Sequence, residues 1–322
     1  MGDGAKNRGA GVAVRDGGQG FRFADTPLLL LGHRAAPVDL PGWDQRCESG
    51  DTPMIAFPYA PLRVRFEADE PTMLTAATVA TLGARHEYVR RPTCERGEAT
   101  TFFRFKGDTM VDLAAEHDPH AADRPERPVP WCVSPVDPVA GAMVRRVAAR
   151  VFEDACPADR VWVEESLIAI ARRTMRGVFA MRGRGVRVEE QPDRLHAEAV
   201  RHVCAHVAEH YGEPVGVGDL AAIAGYTPGH FCRIFKRLTG MPMHKYLTIV
   251  RVMGAIDRIP ERRGHLARLA HECGFANHAH LTSVFGRLIG AAPTAIDTDG
   301  LQWARAGLGR AIDGALPGAR GA

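Results

Sequence analysis

The sequence contains no long apolar run, and this absence excludes a membrane-spanning helix. The apolar stretch from Leu28 to Leu31 is far shorter than the roughly 18 residues that a span requires. Residues 1–20 are rich in glycine and lack the apolar core of a secretory signal peptide. We therefore predict no membrane association and a cytoplasmic location.

Paired cysteines are also lacking. The seven cysteines are scattered along the chain, their number is odd, and none forms a Cys-x-x-Cys pair. This pattern argues against a disulfide framework and against a structural zinc site, and it fits a reducing compartment. We predict no cofactor for this protein.

A strong excess of one charge is the third missing feature. The net charge is only +3 over 322 residues, so the whole chain is not a polycation. With 45% apolar and 25% charged residues, the composition is typical of a globular protein of about two domains.

The first part of the chain is rich in turns and short apolar alternations. The stretches 62–68, 73–83 and 99–105 predict strands, and their spacing favours a small β-barrel or sandwich. After Pro138 the periodicity becomes helical, and Asp159 is the predicted N-cap of a second helix. The predicted division of the chain is a flexible tail at 1–20, a strand-rich domain at 21–133, a two-helix segment at 134–182, a linker at 183–194, a helical domain at 195–297 and a C-terminal tail at 298–322.

The helical domain contains one unit twice. DLAAIAGYTPGHFCRIFKRLTG is echoed about 50 residues later by HLARLAHECGFANHAHLTSVFGRLIG. In each copy a short helix reaches a Gly-aromatic step, at Gly225 and at Gly274, where glycine favours a sharp reversal of the chain. Thr227 and Asn277 are the predicted N-caps of the helices that follow. Helix, turn and helix is the pattern of DNA-binding units whose second helix enters the major groove.

The two copies together resemble the AraC/XylS family of transcription regulators. The first family motif is matched by His230-Phe231, Arg233, Phe235-Lys236, Gly240 and Tyr246-Leu247, and the second by Gly274-Phe275, His280-Leu281 and Phe285. The resemblance covers about 100 C-terminal residues. It implies two helix-turn-helix units joined by a linking helix, bound to double-stranded operator DNA.

Charge agrees with that implication. Residues 195–296 carry 11 Lys and Arg against 7 Asp and Glu, a net charge of +4, so the basic excess lies in the predicted DNA-binding domain. Arg233 is the central predicted base reader, because arginine is the commonest reader of guanine. The predicted base-contacting residues are Thr227, Gly229, Cys232, Arg233, His278, Thr282 and Ser283. The predicted phosphate-contacting residues are Lys236, Arg237 and Arg287.

The second recognition helix departs from the family pattern. Ser283 stands where the family usually has Arg, and Gly286 stands where it usually has Lys. Met243 and Asp297 replace a common Pro and Arg. We therefore predict that the second unit binds DNA weakly and with loose specificity.

The N-terminal part resembles the sensor half of many family members less closely. There, a cupin-like β-barrel precedes paired helices that dimerise, and the order of elements at 21–182 is similar. The resemblance implies an α+β chain, a homodimer, a small-molecule effector, and contact with RNA polymerase if the protein is an activator. The aromatic residues predicted to line a ligand pocket are Phe57, Tyr59, Phe66 and Phe103, although a filled core explains them equally well.

Histidine clusters do not predict a metal site. The sequence lacks the His-x-His pair of metal-binding cupins, and His117 and His120 fit a surface loop. His202, His206 and His210 share a helical spacing that can hold a metal, yet the valines beside them favour an ordinary packed helix.

Two other function classes compete with a regulator. One is a cupin-like ligand-binding protein or enzyme with an accessory helical domain, but no nucleophile elbow, P-loop or carboxylate pair supports catalysis. The other is an Ada-like repair methyltransferase, which needs clustered zinc-binding cysteines and a Pro-Cys-His loop. Since neither is present in the sequence, we predict that the protein is not an enzyme.

Overall fold

The structure, a computed structural model, describes residues 11–41, 43–66, 71–154, 157–182, 194–262, 265–296 and 303–304. The predicted linker lies outside the described residues except for Arg194. The predicted C-terminal tail lies outside them except for Trp303 and Ala304, which are buried. Among the described helices, none is both long enough and apolar enough to span a membrane.

The N-terminal half is built from antiparallel strands. Their bounds are β1 Val14–Gly18, β2 Phe21–Asp25, β3 Leu29–Ala36, β4 Arg46–Glu48, β5 Met54–Pro58, β6 Leu62–Phe66, β7 Thr72–Leu74, β8 Thr78–Leu82, β9 Glu87–Pro92, β10 Glu98–Phe105 and β11 Cys132–Pro135. They form a seven-stranded sheet in the order β1-β2-β3-β10-β5-β8-β11 and a four-stranded sheet in the order β4-β9-β6-β7.

The seven-stranded sheet is covered on both faces at its centre. Every residue of β5 and β8 is buried, as expected for strands that pack on two sides. Along β5, Ile55 and Phe57 point into the larger core, whereas Met54 and Ala56 point into a smaller core shared with the four-stranded sheet. This strict alternation follows from the two-residue period of a strand.

The structure corrects two expectations for this half. The described strands form two sheets and not a closed barrel. Residues 14–18, placed in the predicted tail, form the edge strand β1, which pairs with β2. The sequence concealed β1 because all five of its residues are exposed, so the strand carries no apolar alternation.

Helices make up the remainder of the described chain. They are α1 Thr109–Ala115, α2 Pro138–Phe152, α3 Arg160–Arg182, α4 Arg194–His210, α5 Val217–Ile223, α6 Pro228–Thr239, α7 Met243–Arg258, α8 Leu266–Glu272, α9 His278–Leu288 and α10 Pro293–Ile296, with 3-10 turns at Ala121–Asp123 and Pro260–Arg262.

The ends of α2 and α3 are fixed by carboxylates. Asp137 accepts a hydrogen bond from the Ala140 amide at the start of α2 and also binds Arg173 of α3 at 2.9 Å. Asp159 accepts one from the Trp162 amide at 2.9 Å, which confirms its predicted role as an N-cap. The predicted two-helix segment is therefore a packed helical pair.

Both helix-turn-helix units depend on glycine at the turn. Gly225 has φ +76° and Gly274 has φ +75°, in the left-handed region that other residues adopt at a cost. A Cβ at Gly225 would meet no atom within 4 Å, whereas a Cβ at Gly274 would lie 2.4 Å from the Tyr211 carbonyl oxygen. The Tyr211 backbone therefore packs closely against Gly274, whereas no other described part of the chain packs closely against Gly225.

We expect Gly274→Ala to destabilise the protein more than Gly225→Ala. The Gly225 change adds only left-handed strain, about 1–2 kcal/mol, while the Gly274 change adds a backbone clash to it. Urea unfolding of the two variants, with wild type as reference, measures the difference. Equal losses of unfolding free energy would show that the backbone around Tyr211 moves away from the added methyl group at Gly274 without a cost in stability.

The strand-rich N-terminal half and the C-terminal helical domain are packed together. Helix α2 lies against α7, where a Cβ at Gly141 would meet the Met253 side chain at 3.2 Å. Arg145 of α2 forms an ion pair with Asp257 of α7 at 2.5 Å, although its side chain is only 4% exposed. Its guanidinium lies 3.9 Å from the ring centroid of Tyr59.

A buried histidine extends this polar group into the seven-stranded sheet. Tyr59 and His33 both hydrogen-bond to the Thr101 hydroxyl, at 2.7 and 2.9 Å. Burial, assisted by the nearby charges of Arg22 and Arg145, lowers the pKa of His33 from 6.5 to about 4. His33 is therefore neutral at physiological pH.

This lowered pKa predicts an acid-sensitive fold. Between pH 6.5 and 4 the unfolded chain binds a proton at His33 that the folded chain does not, so stability falls as the pH falls, by on the order of 3 kcal/mol at most. Urea unfolding at pH 7.5 and pH 5 should show a smaller pH dependence for His33→Asn than for wild type. If the unfolding free energies of wild type and His33→Asn depend on pH in the same way, His33 does not cause the acid sensitivity.

Candidate nucleic-acid interface

The two recognition helices bury matching apolar faces. Helix α6 buries Phe231, Ile234 and Phe235, each at most 3% exposed, and α9 buries Leu281, Val284 and Phe285 in the same way. The shared spacing of these residues is what the repeat in the sequence predicted. The opposite face of each helix is consequently turned to solvent.

Helix α6 begins without a side-chain cap, at an extended residue that is followed by proline. Thr227 occupies the N-cap position in an extended conformation and Pro228 follows, but the Thr227 side chain makes no capping hydrogen bond. The Thr227 hydroxyl therefore does not cap the helix. By contrast, Asn277 accepts a hydrogen bond from the His280 amide at 2.9 Å and caps α9 as predicted.

The exposed face of α6 carries the concentrated positive charge. Arg233, Lys236 and Arg237 are all exposed. Helix α6 contains no acidic residue, and Gly240 ends it in a left-handed conformation with φ +73°. Among the described residues, Arg233 makes only a long hydrogen bond, 3.4 Å from its Nε to the Gly229 carbonyl, so its guanidinium remains available.

Other predicted positions on α6 differ in accessibility. Gly229 is exposed, and a Cβ there would meet nothing within 4 Å. Cys232, predicted as a base contact, is half-buried and packs against the core. The predicted reading face of α6 therefore narrows to Thr227, Gly229 and Arg233.

A cluster of three rings, from Tyr226, His230 and His196, lies beside the N-terminal end of α6. The ring of Tyr226 lies 5.5 Å from that of His230 and 5.6 Å from that of His196 on α4. The Arg237 guanidinium is 3.4 Å from the His196 ring nitrogen. The contacts of His196 with Tyr226 and Arg237 join residues distant in sequence, which is why no local motif indicated them.

Helix α9 offers a poorer surface. His278, Ser283 and Arg287 are exposed, as a DNA-contacting face requires. The Thr282 hydroxyl oxygen is buried and has no hydrogen-bond partner among the residues that the structure describes, so this predicted base contact does not present its polar atom. Gly286 leaves open space where the family usually has a lysine.

Several cations that entered the charge count are structural. Arg251 binds the Tyr211 carbonyl oxygen at 2.8 Å and the Glu213 carbonyl at 2.9 Å, and burial lowers its pKa. Arg258 donates to the Tyr211 hydroxyl. Because these side chains hold the loop after α4, the net charge of the domain overstates the charge that is available to an external partner.

The four aromatic residues predicted to line a ligand pocket do not surround one cavity. Phe57 and Phe103 stack at 6.2 Å in the larger core, and Phe66 lies in the smaller core on the other side of the sheet. Tyr59 lines two adjoining cavities that lie between the two halves of the protein, and Phe57, Phe66 and Phe103 do not line these two.

Comparison with known proteins identifies the helical domain. A family of helix-turn-helix domains matches residues 220–298. An uncharacterised HTH-type transcriptional regulator of Bacillus subtilis, YbfI, is 29% identical over 85 residues, which are 26% of this chain and 30% of that protein. The transcriptional activator RhaS of Pectobacterium carotovorum is 26% identical over 99 residues, 31% of this chain and 36% of that protein. The chain thus matches about a third of the length of these relatives.

A longer match joins an HTH-type transcriptional regulator of Mycobacterium tuberculosis, 28% identical over 156 residues, which are 48% of this chain and 55% of that protein. Among solved structures, the DNA-binding domain of AdpA in complex with a target DNA is 29% identical and covers 39% of this chain and 100% of that chain, with a TM-score of 0.29. Residues 220–298 are therefore a helix-turn-helix domain similar to those of known HTH-type transcriptional regulators.

Proposed function

We propose that this protein is a sequence-specific transcription regulator that binds double-stranded DNA mainly through α6. The single observation that supports this most directly is the exposed, acid-free cationic face of α6, formed by Arg233, Lys236 and Arg237. Arg233 lies nearest the N-terminal end, where recognition helices approach base edges. Lys236 and Arg237 lie further along, where contacts to phosphate are expected.

Helix α9 serves as a secondary contact in this proposal. His278 and Ser283 are its exposed polar groups and Arg287 is its phosphate contact. A neutral serine cannot replace the two-pronged donor of an arginine, so α9 contributes less base discrimination than α6. The operator is expected to contain one strongly specified block and one weakly specified block.

The N-terminal half is the proposed sensor. Its two sheets replace the barrel of a cupin-like sensor, and the α2–α3 pair is the proposed dimerisation segment of a homodimer. A small-molecule effector acting there would alter DNA binding, and an activator would in addition contact RNA polymerase. The proposed location is the cytoplasm.

We expect Gly286→Lys to strengthen DNA binding several-fold. The position is exposed and open, so the new cation can reach a phosphate without displacing a neighbour. Gly286→Ala is the matched control, because it gives the same helix stabilisation of roughly 1 kcal/mol without the charge. The DNA for this test is first selected from a random pool with the full wild-type chain. Fluorescence anisotropy then measures the affinity of both variants for it.

The comparison between these variants separates two explanations. A gain for Gly286→Lys alone shows that α9 faces DNA and lacks a cation. An equal gain for both variants would assign the effect to helix stability, and no gain for either would contradict the proposed position of α9.

A further inference from the structure

A small polar surface lies where the first turn of α4 packs against α6. We call it the α4–α6 corner, and it consists of His196 on α4 with His230 and Arg237 on α6. The His196 Nδ1 atom lies 3.4 Å from a guanidinium nitrogen of Arg237, and the His196 ring lies 6.0 Å from that of His230. His230 and Arg237 are exposed and His196 is half-buried, so all three side chains reach the surface.

Tyr226 fixes the two imidazoles of this corner to the core of the domain. Its ring stacks on that of Phe231 at 5.9 Å, and Phe231 is fully buried. The rings of His196 and His230 lie 5.6 and 5.5 Å from the Tyr226 ring. Two helices and the turn between α5 and α6 therefore hold these side chains in one place.

The α4–α6 corner is rich in hydrogen-bond donors and poor in acids. A guanidinium can only donate, so the neutral imidazole of His196 accepts through Nδ1 and carries its proton on Nε2. Arg237 has no carboxylate partner among the described residues, and α6 contains no acidic residue. On α4, Glu198 lies 3.9 Å from Arg201. The corner therefore suits an anion whose oxygens accept several N–H bonds, such as a phosphate.

The position of the corner on α6 indicates which part of DNA it meets. His230 and Arg237 are seven residues apart and share one stripe of the helix, roughly a fifth of a turn from the stripe of Gly229 and Arg233. A helix with its side chains is about 10–12 Å wide and the major groove is about 12 Å wide, so the flanks of an inserted helix face the phosphates. His196 places the start of α4 on that same flank.

We propose that the α4–α6 corner binds one phosphate of the DNA backbone, with Arg237 and the two histidines donating to its oxygens. This inference rests on the DNA-binding function proposed above, and it adds α4 as a third contacting helix beside the two recognition helices. Arg237 supplies the positive charge, and Nε2 of His196 supplies a further N–H. Because the contact is to phosphate, it positions α6 in the groove without reading sequence.

The first test is His196→Lys, with His202→Lys as the matched control on the same helix. His202 is exposed and lies six residues further along, on another side of α4. An ammonium group at position 196 adds a charge beside the phosphate. We therefore expect the affinity for selected DNA to rise about three- to tenfold at low salt, and the logarithmic salt dependence to steepen by about one. The control should change neither, and a gain in affinity cannot arise from misfolding.

The second test locates the phosphate. Duplexes of the selected sequence are prepared with a single phosphate replaced by a neutral methylphosphonate, at each position in turn. For wild type, we expect one replacement beside the block read by α6 to weaken binding about three- to tenfold. Arg237→Gln should abolish the effect of that one replacement and His196→Ala should reduce it, whereas Arg233→Ala should leave it unchanged.

These measurements distinguish a phosphate contact from a packing contact. If His196 only packs α4 against α6, His196→Ala weakens binding to every duplex by one factor and the methylphosphonate effect persists, which overturns the proposal. The same holds if the lysine variants at positions 196 and 202 have equal affinities and equal salt dependences. Circular dichroism establishes that each variant is folded.

The tests also separate this inference from the proposed function. If the wild-type chain enriches no DNA sequence, both are contradicted. If it enriches a sequence and Arg233→Ala weakens binding to it, while the variants at positions 196 and 237 behave as wild type, only the α4–α6 corner proposal is overturned.

Discussion

Arg233→Ala is expected to weaken binding to selected DNA by about 5- to 150-fold, whereas Ser283→Ala is expected to change it far less. The first figure corresponds to the 1–3 kcal/mol that a good arginine–guanine pair contributes to discrimination. Arg233 is exposed, and within the described part of the chain its one hydrogen bond is a long contact to the Gly229 carbonyl, so its guanidinium is available to a base. Ser283 occupies the equivalent site on α9 with a short neutral side chain.

The measurement is an anisotropy titration of both variants against the same DNA. Arg233→Lys is the informative control, because it keeps the charge but loses the two-pronged geometry. If lysine restores most of the affinity, Arg233 acts as a phosphate contact and not as a base reader. Equal losses from Arg233→Ala and Ser283→Ala would contradict the asymmetry between the two units.

Phe235→Ala is expected to cost about 3–5 kcal/mol of unfolding free energy. Phe235 is fully buried, and its ring lies 6.0 Å from that of Phe231 and 5.2 Å from that of Tyr246 on α7. Removing it leaves a cavity where α6 docks on the linking helix. Because whole domains have a stability of only about 5–15 kcal/mol, DNA binding should be lost with the docking.

Urea unfolding followed by circular dichroism measures this loss. Phe235→Leu retains most of the side-chain volume and should lose markedly less stability than alanine. Cys232→Ala, one turn away and only half-buried, is the neighbouring control. A loss below about 1 kcal/mol for Phe235→Ala would show that α6 does not depend on this contact.

The sequence was most informative where one element repeats. Phe231, Ile234 and Phe235 on α6 and their counterparts on α9 recur at one spacing, so both helices and their buried faces were predictable. The turns were predictable as well, because Gly225 and Gly274 occupy left-handed positions that favour glycine. Local rules therefore sufficed for the helices and turns of the C-terminal helical domain.

The N-terminal half was less predictable because its contacts are distant in sequence. The short strands were recognised at β6, β8 and β10, but the partners in each sheet could not be derived from alternation alone. Phe57 and Phe66 are both aromatic and buried, yet they belong to different cores. Nothing in their local sequence distinguishes the two faces of the sheet.

The domain junction was missed for the same reason. Arg145 and Asp257 are 112 residues apart, and each lies in a helix whose local pattern indicates only an amphipathic surface.

Two predicted DNA contacts are less accessible than the sequence indicated. The half-buried position of Cys232 and the buried hydroxyl of Thr282 depend on how deeply α6 and α9 pack into the domain. That depth is a property of packing and not of helical spacing.

The central claim is that α6 makes this chain a sequence-specific DNA-binding protein. The most direct test is selection of binding sites from a random duplex pool by the full chain, followed by affinity measurements at several salt concentrations. We expect one strongly enriched block and one weakly enriched block, with an affinity that falls as the salt concentration rises. Failure to enrich any sequence, or binding that is insensitive to salt, would contradict it.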